Sequence, residues 1–154
     1  MNELEELKKE LEEVLEKVNK KIKESEKEYW TVEHDGEIKC DRDFGYDVDI
    51  FNKEIGNYFK TEKETEEYVE DLKVKTEIKK IAKELNGNEK INWDDTNQTK
   101  YFLIYDYYSI PSIKCNKEWS FKPEGTICCL DENLAYECIK KIGVNRLENY
   151  LKRN

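Results

Sequence analysis

The sequence predicts an α+β fold: an N-terminal amphipathic helix able to start a short coiled coil, then a small antiparallel sheet domain with two β-β-β-α-like halves. Three observations predict it. Leu4, Leu7, Leu11, Leu15, Val18 and Ile22 recur every 3.6 residues on average in a background of Glu and Lys, which is the period of one helical face. Beyond residue 28, short β-branched and aromatic runs are bounded by turn signals such as Asp35-Gly36 and Pro123-Glu124-Gly125. The stretch GNYFKTEKETEEYVEDL, residues 56–72, has a near-echo in GTICCLDENLAYECIKKI, residues 125–142.

The first element is the helix of residues 1–28. Its start also reads as heptads, with Leu4, Leu7, Leu11, Val14 and Val18 at a and d, but the next two positions are Lys21 and Ser25, so any coiled coil is short. Burying each Leu or Val contributes about 1.5–3 kcal/mol, whereas an exposed i,i+4 Glu–Lys pair gives about 0.2–0.5 kcal/mol. The stripe Leu4, Leu7, Leu11, Leu15 and Val18 is therefore expected to find a cover. Self-association is expected ahead of docking on the chain's own body.

Residues 29–154 are expected to form the α+β domain, with a duplication relating 29–86 to 100–143. YWTV and EIKC flank His34-Asp35-Gly36 as a hairpin. An acidic stretch follows, then EIGNYFKT as a third strand, and a helix from about Glu62 to Leu85. Thr61 and Glu64 have capping-box spacing, and Val69, Leu72, Ile78, Ile81, Ala82 and Leu85 are expected on the buried side. The second half repeats the order: KYFLIYDYYSI as an aromatic-rich central strand, SIKC after the break at Pro111, and GTICCL leading to Asp131 as N-cap. A helix with Leu134, Ala135, Cys138, Ile139 and Ile142 then stops at Gly143, and NRLENYLK forms a last helix. A three-stranded half with one helix buries too little alone, so two halves are expected to share a core.

Length and composition narrow the function. The chain has 154 residues, 41% of them charged, with ten Tyr, three Trp and five Phe to supply burial. It has no run of eighteen apolar residues and no apolar leader, so a protein neither secreted by a standard signal nor embedded in a membrane is expected. Five cysteines without C-x-x-C spacing read as reduced thiols. His34, Cys40 and Cys115 are weighed as metal ligands and read instead as packing or surface residues, so no metal and no cofactor are expected. The net charge of −9 divides unevenly: residues 1–28 carry −3, residues 29–72 carry −9 and residues 73–154 carry +3. Duplex DNA is disfavoured as a ligand.

Asp41, Asp43, Asp47 and Asp49 alternate as in a calcium loop. An EF-hand begun at Asp41, however, puts Tyr46 at the required Gly and Asn52 at the bidentate Glu. They read either as a solvated acidic face or as an acidic binding surface that occupies a basic groove on a partner. A second constellation is aromatic and basic: Trp93, Tyr105 and Tyr107 would stack a base, with Lys75, Lys79 or Arg146 holding phosphate. Trp93 lies in a polar connector and is a candidate pocket wall or interface anchor; Trp30 and Trp119 are ambiguous. One His, no Ser-centred elbow and no phosphate-cradling glycine loop argue against an enzyme.

The order of YWTVEHDGEI, IGNYFKTEKETEEYVEDL, INWDDTNQTKYFLIYDYY and IGVNRLENYLKRN resembles a group of small uncharacterised accessory proteins carried by phages and prophages of low-GC Gram-positive bacteria. The resemblance covers residues 29–154 and brings no activity with it. It implies a context, the cytoplasm of a bacterial host, and a protein acting on host defence or host enzymes. The leading expectation is a non-enzymatic counter-defence protein. It would bind and inhibit a host factor with a basic surface, such as a CRISPR or other nuclease, through an acidic, aromatic surface. The alternatives are an oligomeric sponge that sequesters a nucleotide immune signal, and a phage regulatory or scaffold protein.

Overall fold

The computed structural model describes residues 3–25, 27–118 and 122–154, so Trp119 lies outside the described residues. Among the described residues, five helices and two small antiparallel sheets make the fold α+β, as expected. It divides into two compact units, Met1–Val69 and Glu70–Asn154. The division falls within one long helix, whereas the sequence reading separated 1–28 from 29–154.

In the first unit, α1 (Glu3–Ser25) leads to a hairpin of β1 (Glu28–Val32) and β2 (Ile38–Arg42), paired with Trp30 opposite Cys40. The turn between them holds Gly36 at φ 88°, a left-handed conformation that favours glycine. The Asp35 carboxylate accepts the Glu37 N–H at 3.0 Å and closes it. Next comes α2 (Asp47–Glu54), a helix where the sequence reading placed an acidic loop running into a strand. Only Phe59 of the expected strand EIGNYFKT joins the sheet, exchanging both backbone hydrogen bonds with Trp30 at 2.8 and 2.9 Å. The physical reason is periodicity: Val48, Phe51 and Ile55 repeat at helical spacing, and the acids Asp47 and Asp49 favour the positive end of a helix in its first turn.

The long helix α3 (Glu62–Asn86) starts where Thr61 predicted it. Thr61 Oγ1 accepts the Glu64 N–H at 3.2 Å, and the Glu64 carboxylate accepts the Lys60 N–H at 3.0 Å, one residue earlier than in a standard capping box. Its buried side differs in part from expectation. Val74, Ile78, Ile81 and Ala82 are buried, Val69 and Leu85 are half-buried, and Leu72 is exposed.

The second unit holds the main core. Its sheet has the order β4 (Ile113–Glu118), β3 (Lys100–Tyr105), β5 (Cys128–Cys129), so β3 is central as its two apolar faces predict. β3 is shorter than read. It stops at Tyr105 because the Asp106 carboxylate accepts the Tyr108 N–H at 3.0 Å and the Ser109 hydroxyl, bending the chain back through a turn. Leu103, Ile113 and Cys129 from the sheet pack with Val74, Ile78, Ile81 and Ala82 of α3, with Leu134, Cys138 and Ile142 of α4 (Leu134–Ile142), and with Leu147 and Tyr150 of α5 (Val144–Arg153). Asp131 is not the N-cap of α4. That residue is Asn133, and Asp131 accepts its backbone N–H at 2.8 Å, forming the turn before it.

The two sheets share a topology. In each, the first strand is central, a hairpin partner lies on one side, and a third segment leading into a helix adds antiparallel on the other: Phe59 beside Trp30, and Cys128 beside Phe102. The first half differs by the insertion of α2.

These burials define a stability test. Leu134 is fully buried, so Leu134→Ala is expected to cost about 2–5 kcal/mol, whereas the exposed Leu72→Ala should stay within about 0.5 kcal/mol. Denaturant midpoints of the two variants check this.

Candidate functional site

The acidic constellation does not stay together as one surface. Asp49 is only 2% exposed and is consumed by the fold. Its carboxylate accepts the Tyr29 hydroxyl at 2.6 Å, the Tyr46 N–H at 2.9 Å and the Phe44 N–H at 3.0 Å. A buried anion without a cation needs such donors, and here they dock α2 on the hairpin. The Tyr29 hydrogen bond, followed by the two backbone N–H groups, holds the Asp49 carboxyl below the usual carboxylate range. Burial and then Asp49 push the Tyr29 phenol up to about 12.

Asp43 is likewise engaged. It accepts the Tyr58 hydroxyl at 2.9 Å and the Gly45 N–H at 3.0 Å, and pairs with Lys53 at 2.5 Å. Lys53 also stands 5.0 Å from the centre of the Tyr58 ring, which stacks on Tyr29 at 4.2 Å. Lys53 and then Tyr58 lower the Asp43 carboxyl. Only Asp41, paired with Lys39 at 3.1 Å, and Asp47 remain as exposed acids of the four. Asp43 and Asp49 were read as surface because alternation in sequence hides which carboxylates meet donors after folding.

What the sequence reading missed is the other side of α2. With Asp49 and Asn52 turned toward Tyr29, the exposed part of α2 and its C-terminal cap carries Val48, Phe51 and Ile55, and Phe44 and Tyr46 precede the helix with rings 5.6 Å apart. These five side chains are 53–66% exposed. Large apolar groups so concentrated on a surface make it a candidate interaction site. Exposed Asp47 and Glu54 lie at the two ends of the same helix. The missed signal was the i, i+3, i+7 spacing of Val48, Phe51 and Ile55.

The stripe on α1 is exposed too. Leu4, Leu7, Leu11, Leu15 and Val18 are 47–72% exposed, so the described residues leave this face open to water.

The aromatic and basic constellation separates. Arg146 is held by Glu70 at 2.5 Å and by Glu77 at 2.9 Å, linking α5 to α3, and these carboxylates push its guanidinium pKa further up. Trp93 lies beside Lys100, whose ammonium is 5.4 Å from the ring centre and donates to the Asp95 carbonyl at 2.7 Å. Lys100 is fully buried, and so binds its connector to β3. Lys79 is exposed and Lys75 half-buried on α3. Tyr105 and Tyr107 do come together, edge to face at 4.6 Å, and both line a cavity of about 310 Å³.

Four of the five thiols are at least partly buried, whereas Cys40 is exposed. Cys129 and Cys138 are buried, and burial, then Cys115 and Cys129, push the Cys138 thiol up to about 12. Cys115 Sγ accepts the Ala135 N–H at 3.2 Å. Among the described residues no cluster of His, Cys, Asp or Glu is arranged to hold a metal, and no helix is long and apolar enough to cross a membrane. Comparison of the chain with protein-family models, with curated proteins and with solved structures finds no match.

The depressed carboxyls set the pH response of the first unit. A carboxyl lowered by folding stabilises above its unfolded pKa, about 3.9 for Asp, and that stability disappears as pH falls through the lowered folded value. Near-UV dichroism of the Tyr29–Tyr58 stack is expected to persist at neutral pH and to be lost below about pH 4. Asp49→Asn should lower the neutral-pH melting temperature and flatten that acid loss.

Proposed function

We propose that this chain is a non-catalytic, self-associating binding protein that captures a partner protein on the acidic, aromatic face of α2. In the setting implied by its resemblance to phage accessory proteins, the captured partner is a host defence factor with a basic surface, such as a CRISPR or other nuclease, which is inhibited by occlusion. The observation that carries this reading is the set of Phe44, Tyr46, Val48, Phe51 and Ile55, exposed on and around a helix that is fastened to its own unit through the buried Asp49.

Three arguments support it. Residues 41–55 hold Asp41, Asp43, Asp47, Asp49 and Glu54 against Arg42 and Lys53, a local charge of −3. A second copy of the same face would meet like charge, while a basic partner is attracted, which speeds encounter. Aromatic anchors with charge at the rim are the usual arrangement of a binding hot spot. The thiols offer no poised nucleophile, since burial raises Cys115, Cys128, Cys129 and Cys138, and burial followed by Glu28 and Asp41 raises the exposed Cys40.

Self-association rests on α1. A pair of copies would cover ten of the Leu and Val side chains named above, a gross gain of about 15 kcal/mol at the low end of burial energies. Association costs about 4–15 kcal/mol. The balance favours a pair while leaving it sensitive to concentration. The nucleotide-sponge reading has less support, because Arg146 is already engaged by two carboxylates.

Light scattering is expected to give a native mass above that of one chain, and Leu7→Glu with Leu11→Glu should reduce it to a single chain. Phe44→Ala with Phe51→Ala should leave the melting temperature near wild type and weaken inhibition of a purified CRISPR nuclease by about 2 kcal/mol, roughly thirtyfold in affinity. Salt should slow binding by the parent protein. Full inhibition by the double alanine variant would refute the α2 face as the capture surface.

A further inference from the structure

The apolar stripe of α1 repeats every eleven residues: Leu4 with Leu15, Leu7 with Val18, and Leu11 with Ile22. Eleven residues make three turns at 3.67 residues each, close to a straight helix, so a second helix can follow the stripe with little supercoil. All six side chains are 47–72% exposed.

Turned end for end about residue 13, the stripe falls on itself. Leu4 exchanges with Ile22, Leu11 with Leu15, and Leu7 comes within one residue of Val18. A twofold axis demands that residue i of one copy meet j while j meets i. A stripe shaped to a foreign helix has no need of that symmetry.

Charge selects the direction. Residues 3–16 hold seven Glu against Lys8 and Lys9, a sum of −5, and residues 17–25 hold four Lys against Glu24, a sum of +3. The helix macrodipole favours acids first and bases last, but it acts only within the end turns. Glu10, Glu12, Glu13 and Lys17 lie beyond those turns. Parallel copies would set −5 beside −5 and +3 beside +3, whereas antiparallel copies set each acidic half on a basic one. The individual residues agree. Glu3, Glu10, Lys17 and Lys21 are spaced 7, 7 and 4, so they share one flank of the stripe, and all four are exposed. In an antiparallel pair that flank meets the same flank of the other copy, which brings Glu10 beside the second copy's Lys17 and Glu3 near its Lys21.

We infer that the self-association proposed above, on which this inference rests, is an antiparallel pair of α1 helices from two copies of the chain, the acidic half of each lying on the basic half of the other. Its 23 residues make a rod of about 35 Å. Since β1 begins at Glu28, three residues after α1 ends, the two β1–β2 hairpins leave the rod at opposite ends, and α2 goes with its hairpin through Asp49 and Tyr29. Such a pair is built to engage two partner sites at once.

The test uses the full chain carrying Cys40→Ser, which removes the exposed thiol. Leu7→Cys and Val18→Cys chains are oxidised singly and as an equal mixture. In the antiparallel pair position 7 lies beside position 18 of the other copy. Two copies of position 7, or of position 18, stand ten or more residues apart along the axis, roughly 15 Å or more, beyond the reach of a disulfide. Only the mixture is expected to give a covalent dimer, and light scattering of the parent should give the mass of two chains. Lys17→Glu with Lys21→Glu should weaken the pair about tenfold at low salt, and adding Glu3→Lys with Glu10→Lys to the same chain should restore the affinity to within about threefold of the parent. A two-chain mass in which each cysteine variant cross-links with itself, or in which the mixture gives no covalent dimer, overturns the antiparallel direction and leaves self-association standing. So does a second pair of substitutions that fails to repair the first. A parent mass of one chain, its stripe covered by its own body, removes both this inference and the self-association beneath it, and a mass of three or more chains overturns the pair.

Discussion

A carboxylate removed from water without a counter-cation has to be met by neutral donors, and the first unit is organised around that requirement. Asp49 is met by one phenol and two backbone N–H groups. Those N–H groups belong to Phe44 and Tyr46, so the same contacts that neutralise the anion also set the entry of the chain into α2 and fix which side of that helix faces inward. The stacked Tyr29 and Tyr58 rings then carry the constraint to Asp43 and Lys53. A small apolar core alone would not orient an eight-residue helix this specifically.

The second unit solves a different problem. It has enough aliphatic surface for a true core, drawn from α3, three strands, α4 and α5. Ion pairs decorate it at the edge: Arg146 with Glu70 and Glu77, Arg153 with Asp71, and Lys141 with Glu84 all tie the last two helices to α3. At partial exposure each adds little to stability, and their value is in fixing the register of α5 along α3. That register places Tyr150 and Leu151 where they wall the cavity.

Much of the fold was legible because its signals are periodic. The leucine spacing of α1, the Asp-Gly turn, the aromatic run of β3 and the stop at Gly143 each encode one local preference that tertiary structure leaves in place. The misreadings occurred where side chains override period. Alternating aspartates resembled a strand or loop until Asp49 met Tyr29, and KYFLIYDYY continued as a strand on paper until Asp106 captured Ser109 and the Tyr108 N–H. For the candidate site, charge pattern in the sequence did not show which carboxylates and rings would be exposed after folding. Two of its four acids are internal partners, and its aromatic part, Phe44, Tyr46 and Phe51, lies within the same acidic stretch that drew attention for charge alone.

The inverted amphipathicity of α2 has an evolutionary corollary. This helix is fastened through Asp49 and Asn52 while Val48, Phe51 and Ile55 face outward, so the residues proposed to recognise a partner are not those that hold the helix in place. Substitutions at Val48, Phe51 or Ile55 are free to drift in size and shape with little penalty to folding. A lineage facing a changing adversary could retune that surface one residue at a time, whereas a binding face built from core positions would have to renegotiate the fold at every step.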